Sequence, residues 1–131
     1  MKNTPQASIP DYSKLVGIPY SKMNCFELAQ KFYADVLGME LKNYYECAPT
    51  NRTEIQNLVY TSKGDFVEVD SPQFGDIVLI KIENLESHIA VYVGPDRILH
   101  TLTTTKESVV DRLSRWRMVV SGYYRMRDTD Q

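Results

Sequence analysis

The sequence predicts an α+β domain, and three observations carry that expectation. Residues 24–38 show helical periodicity. From Gly64 onward the chain breaks into short β-type runs separated by turn signals. No internal repeat, low-complexity tract or interdomain linker interrupts the 131 residues. Helices first and antiparallel strands later is the pattern of helices packed on one sheet. A chain of this length buries a real core without disulfide or metal staples.

Residues 1–10, MKNTPQASIP, are polar with two prolines and are expected as a flexible N-terminal arm. A short helix is expected from Asp11 to Val16, ended by Gly17 and the Ile18-Pro19 step, because the residue before proline avoids helix. The strongest helix signal is NCFELAQKFYADVLG, residues 24–38. Asn24 is a good N-cap, and Glu27 three residues later completes a capping box. Cys25, Leu28, Ala29, Phe32 and Val36 form one apolar stripe, and Gly38 supplies a left-handed stop. A strand around Met39–Tyr45 and a short helix near Thr53–Tyr60 are expected next. Strands follow at Phe66–Val69, Asp76–Ile82, His88–Val93, Ile98–Thr103 and Val119–Met126, with Ser108 as the N-cap of a short helix through Arg115.

Bulk properties narrow the function classes. Hydrophobic residues at 43% and charged residues at 24% are ordinary for a soluble globular protein. A net charge of −2 lacks the basic excess that a nucleic-acid or anionic-membrane surface needs. No basic, then apolar, stretch opens the chain, so no signal peptide is expected. The apolar run Ile77–Ile80 is far too short to insert across a bilayer. Cys25 and Cys47 do not make a secreted disulfide framework. A zinc site from Cys25, Cys47, His88 and His100 lacks the paired ligand spacing that structural zinc uses, so no metal is expected.

Both histidines of the chain fall in one hairpin, SHIAVYVGPDRILH, residues 87–100. Alternation puts His88, Ala90 and Tyr92 on one face. With Gly94-Pro95-Asp96 as a three-residue loop, Val93 faces Arg97 and His100 lies opposite Ala90. The two histidines are then diagonal neighbours, roughly 7–8 Å apart at the backbone, close enough for a ring-to-ring hydrogen bond. Such a pair suits a general base and the group that orients it, and it needs a nucleophile. Cys25, first in a capped helix, has its sulfur among unpaired N–H groups and the positive end of the helix dipole, which favour thiolate. A helix N-terminus packed over the histidine face would complete nucleophile, base and orienter.

Helix-borne Cys25, the strand Gly75-Asp76-Ile77-Val78, the run His88 to Gly94 and Ile98-Leu99-His100 together resemble the NlpC-type cysteine peptidases, papain-like enzymes that cut stem peptides of bacterial cell walls. The histidine offset, 100 − 88 = 12, is as expected for that family. Gly17-Ile18-Pro19-Tyr20 is similar to the family's Gly-x-x-Tyr segment, and Ser121-Gly122-Tyr123-Tyr124-Arg125 looks like the end of short versions carried by tailed phages. Two departures stand out. Asn24 precedes Cys25 where the family usually has Asp, and Ser21-Lys22-Met23 replaces a glycine-rich link.

The resemblance implies a papain-like fold over residues 11–126, with N-terminal helices on a roughly five-stranded antiparallel sheet and residues 127–131 as a tail. It implies Cys25, His88 and His100 as catalytic groups, with Tyr20 and Asn24 at the oxyanion and substrate side. No cofactor is needed. The implied substrate is a peptidoglycan stem peptide, cut between γ-D-glutamate and a diamino acid. The implied setting is a phage tail, or the host cytoplasm before assembly, with other tail proteins as partners. Two alternatives remain open at this point. One is a tail-tip structural protein with a vestigial site. The other is a CHAP-like amidase, against which His100 argues.

Overall fold

A computed structural model describes residues 11–41, 66–83 and 85–127. The expected arm, the second half of the Met39–Tyr45 strand, the Thr53–Tyr60 helix, Cys47 and residues 128–131 lie outside the described residues.

Asn24 adopts an extended backbone, and its side chain accepts the Glu27 N–H at 2.9 Å while the Glu27 carboxylate accepts the Asn24 N–H at 2.9 Å. This capping box starts helix α1, Cys25–Phe32. A π-helical turn, Tyr33–Leu37, continues it, and Gly38 stops it at φ 65°, where a side chain would be strained. The Asp11–Val16 helix is shorter than expected, a 3₁₀ turn at Ser13–Leu15.

The sheet has six antiparallel strands among the described residues: β1 Phe66–Val69, β2 Ile77–Ile82, β3 Leu85–Gly94, β4 Arg97–His100, β5 Val109–Arg112 and β6 Val120–Met126. Their order is β1-β6-β2-β3-β4-β5. The sixth strand comes from a mistaken expectation. Ser108 does not cap a helix; Val109–Arg112 pairs with β4, and only Leu113–Arg115 turns helically, as a 3₁₀ turn. Two adjacent β-branched residues, Val109 and Val110, fit a pleated strand better than a helix start.

Central strand β2 is apolar at four successive positions, Ile77 to Ile80, and all four are buried. That pattern requires cover on both faces of the sheet. On one face Phe26, Leu28, Ala29 and Phe32 of α1 pack with Ile77, Leu79, Ile89, Val91 and Leu99. On the other, Val78, Ile80, Ala90 and Ile98 pack with Leu113 and Trp116. Buried Asp76, at the entry to β2, accepts two hydrogen bonds from Arg125 of β6, at 2.9 and 2.8 Å, and one from the Gln73 N–H at 2.8 Å. It is an anchor for the turn into the central strand.

Candidate active site

The hairpin register is as the sequence predicts through its arms: Val91 faces Leu99 and Tyr92 faces Ile98, which sets His100 opposite Ala90. The turn is tighter than expected. Gly94 pairs with Arg97, and the register shifts between Tyr92 and Gly94. Gly94 at φ 140° and Asp96 at φ 56° make that turn possible. On β3 a second irregularity precedes His88: Ile80 pairs with His88 but Lys81 with Glu86, which leaves Ser87 as an extra residue. A bulge of this kind bends its strand and re-aims the next side chain.

His88 and His100 meet directly. His88 Nε2 lies 2.9 Å from His100 Nδ1, with both rings buried and their centroids 5.1 Å apart. Trp116 covers the pair, its ring 6.4 Å from His88 and 5.3 Å, edge-on, from His100. Beyond His100, the Asp111 carboxylate Oδ2 stands 3.4 Å from Nε2.

Cys25 is a free, half-buried thiol at the first position of α1. The apolar stripe of this helix does not lie on the histidine face. Its stripe, Phe26, Leu28, Ala29 and Phe32, packs with the Ile89 and Val91 face, whereas the histidine rings sit with Trp116 on the other. The sulfur still reaches β3. The backbone N–H of Ile89, the residue after His88, favours its thiolate form, as do the N–H groups of Phe26 and Cys25 itself. No hydrogen bond joins the sulfur to His88 among the described residues, and the nitrogen left over on His88 is Nδ1.

Burial opposes charge at the site. Burial pushes the Cys25 thiol above the ordinary range, outweighing the N–H groups at the helix start. Burial, helped by His100, pushes His88 down to about 3. His100 is also lowered by burial, against the pull of Asp111. The resting groups are therefore a neutral thiol and neutral imidazoles, not a preformed ion pair.

Tyr20 is half-buried, and its phenol is raised by burial, then by the charges of Cys25 and Glu27. Its position is fixed by a strap. Tyr20 N–H donates to the Lys106 carbonyl at 2.9 Å, Gly17 N–H to the Ser108 carbonyl at 2.8 Å, and Ser108 N–H to the Ile18 carbonyl at 2.9 Å. Asn24 is buried, with its side-chain oxygen engaged by the helix cap. Asp111 and Trp116 were not singled out from sequence; alternation along a correctly drawn β5 would have put Asp111 on the His100 face. Among the described residues no three His, Cys, Asp or Glu side chains are grouped to hold a metal ion.

Comparison with known proteins places the chain in a family and a fold. A family model described as the NlpC/P60 family matches residues 12–125. No curated protein matches the chain in sequence. Among solved structures, the crystal structure of the NlpC/P60 domain of peptidoglycan hydrolase SagA is similar with a TM-score of 0.58 and 16% identity, covering 92% of this chain and 95% of that one. At that identity the likeness is one of fold.

Proposed function

The chain belongs to the NlpC/P60 family, a family of cysteine peptidases, and on that premise we propose that it hydrolyses an amide bond in peptidoglycan stem peptides with Cys25 as nucleophile and His88 as general base. The observation that carries this reading is the buried His88–His100 contact at 2.9 Å, in a chain whose Cys25 opens a capped helix.

Because thiol and imidazole rest neutral, proton transfer from Cys25 to His88 Nδ1 accompanies attack rather than preceding it. His100 orients the His88 ring and stabilises the imidazolium that forms. His88 then gives its proton to the departing amine, leaving an acyl thioester on Cys25 that water hydrolyses. The backbone N–H of Cys25 meets the tetrahedral oxyanion, with the Tyr20 phenol as a second donor; loss of one such donor typically costs about 10²–10³ in rate. The bond is proposed as γ-D-glutamyl to a diamino acid. The proposed catalytic unit is residues 11–126, with residues 1–10 an arm and 127–131 a tail, and the proposed setting is a phage tail acting on the cell wall.

Mass spectrometry of a defined muropeptide incubated with the purified protein tests the reading. The wild type should release the two stem fragments, and Cys25→Ala should keep the fold and release neither. Equal cleavage by Cys25→Ala would remove Cys25 from the mechanism. A second reading, a tail structural protein with a weak site, is favoured by the raised thiol and by the lack of a Cys25–His88 hydrogen bond among the described residues. It predicts no fragments from either protein.

A further inference from the structure

The histidine pair does not end at His100. In the β4–β5 ladder His100 pairs with Val109 and Ile98 with Asp111, so Asp111 lies diagonal to His100 on the same face. Its Oδ2 is 3.4 Å from His100 Nε2, a buried nitrogen with no hydrogen-bond partner among the described residues. The carboxylate is itself held. Trp116 Nε1–H donates to Oδ2 at 3.0 Å, the Arg112 N–H to Oδ1 at 2.8 Å, and the Arg115 guanidinium lies 3.5 Å from Oδ1. Trp116 thus touches His100 edge-on and hydrogen-bonds the group behind it.

We propose that Asp111 is a positioning residue that decides which nitrogen of each histidine carries the proton. The inference rests on the peptidase reading above and adds a fourth member to it. A carboxylate facing Nε2 repels a lone pair there and attracts an N–H, so His100 carries its proton on Nε2. His100 Nδ1 is then an acceptor only. At 2.9 Å it takes the proton-bearing Nε2 of His88, and this leaves the His88 lone pair on Nδ1, the atom a general base needs. The opposite proton map ends with N–H on His88 Nδ1 and no base. Asp111 acts through His100, the imidazole its carboxylate faces. Burial alone would raise its own titration, but the Trp116 and Arg112 hydrogen bonds, with His100 and Arg115, bring it below the usual carboxylate range, so it stays charged at neutral pH.

Long-range ¹H–¹⁵N spectra of the full chain, labelled with ¹⁵N and prepared without a histidine tag, report the map directly, since only two imidazoles contribute. In wild type at neutral pH both rings should show protonated Nε2 and bare Nδ1. In Asp111→Asn the His100 proton should move wholly or partly to Nδ1, and kcat on the muropeptide should fall about 10–100-fold with KM unchanged, the range for partners that act one residue removed. Trp116→Phe, which keeps the carboxylate, should retain the wild-type proton map. A wild-type His100 protonated on Nδ1 overturns the proposal even if Asp111→Asn does not fold, as does an Asp111→Asn protein with unchanged tautomers or unchanged kcat. The spectra do not depend on turnover. A wild type with the expected map but no cleavage would remove the peptidase reading and leave the Asp111 relay standing.

Discussion

His88 Nε2 and His100 Nδ1 are 2.9 Å apart inside the protein, on neighbouring strands and twelve residues apart in sequence. Two buried imidazoles at this distance share one proton between them, so each fixes the other's ring orientation. Removing His100 frees the His88 ring to rotate and to adopt the wrong tautomer. His100→Ala should therefore lower muropeptide kcat by about two to four orders of magnitude, the scale on which loss of an orienting group acts in hydrolytic triads. His100→Asn, which offers an acceptor at a similar place, should recover part of that loss. Turnover in His100→Ala equal to wild type would show that the pair serves packing alone.

The neutral thiol leads to a prediction opposite to the one the helix start suggests. Burial holds Cys25 above the ordinary thiol range, about 8.5, and His88, lowered to about 3, carries no charge to offset it. Alkylation of the resting protein by iodoacetamide should keep accelerating as pH rises beyond 8.5, with no plateau near neutrality. A stopped series of mass spectra between pH 5 and pH 10 would measure it. A reactive plateau below pH 7 would mean a standing thiolate–imidazolium pair and a different resting state.

Much of the site is legible in the chain because its signals are local. Asn24 and Glu27 announce the helix start that bears Cys25, and the single hairpin sets His88 and His100 within reach of each other whatever the rest does. What escapes is decided across the fold. The choice of sheet face for α1 depends on apolar residues gathered from four strands, and no single strand reveals that. The balance at Cys25 is likewise invisible, since helix N–H groups can be read from position 25 while burial cannot. Asp111 escapes for a simpler reason: Ser108 looks like an N-cap, and only strand pairing with β4 shows that Asp111 alternates onto the His100 face.

Acid should unfold the protein through its histidines. In the folded state His88 binds a proton only near pH 3, whereas in the unfolded chain it does so near 6.5. Between these values the unfolded state holds the extra proton, so stability is whole above about pH 6.5 and falls as pH drops toward 3. The slope for one such group is about 1.4 kcal/mol per pH unit. His100, also lowered, acts in the same direction. Urea denaturation at pH 7.5, 6, 5 and 4 should show this decline, and His88→Gln should flatten it. An equally steep decline in His88→Gln would remove His88 as its source and leave His100 or the carboxylates.

Ser108 should matter more than a buried serine usually does, because its side chain serves two backbone groups of the strap. Its Oγ–H donates to the Leu15 carbonyl at 2.6 Å, and Oγ accepts the Ile18 N–H at 2.9 Å. Ser108→Ala leaves both without that partner in a buried place, at a cost of about 1–3 kcal/mol. The loss should appear as a fall in Tm of several degrees. It should also loosen Pro19-Tyr20, the segment bridged to Glu107 that precedes the Cys25 helix. A looser strap lets water reach Cys25, so its thiol should titrate lower and alkylate faster at pH 7 than in wild type. Ser108→Thr, which keeps the hydroxyl, should restore the slow alkylation if its methyl group is accommodated. A fall in Tm with wild-type alkylation in Ser108→Ala would mean that the strap supports the fold without governing the thiol.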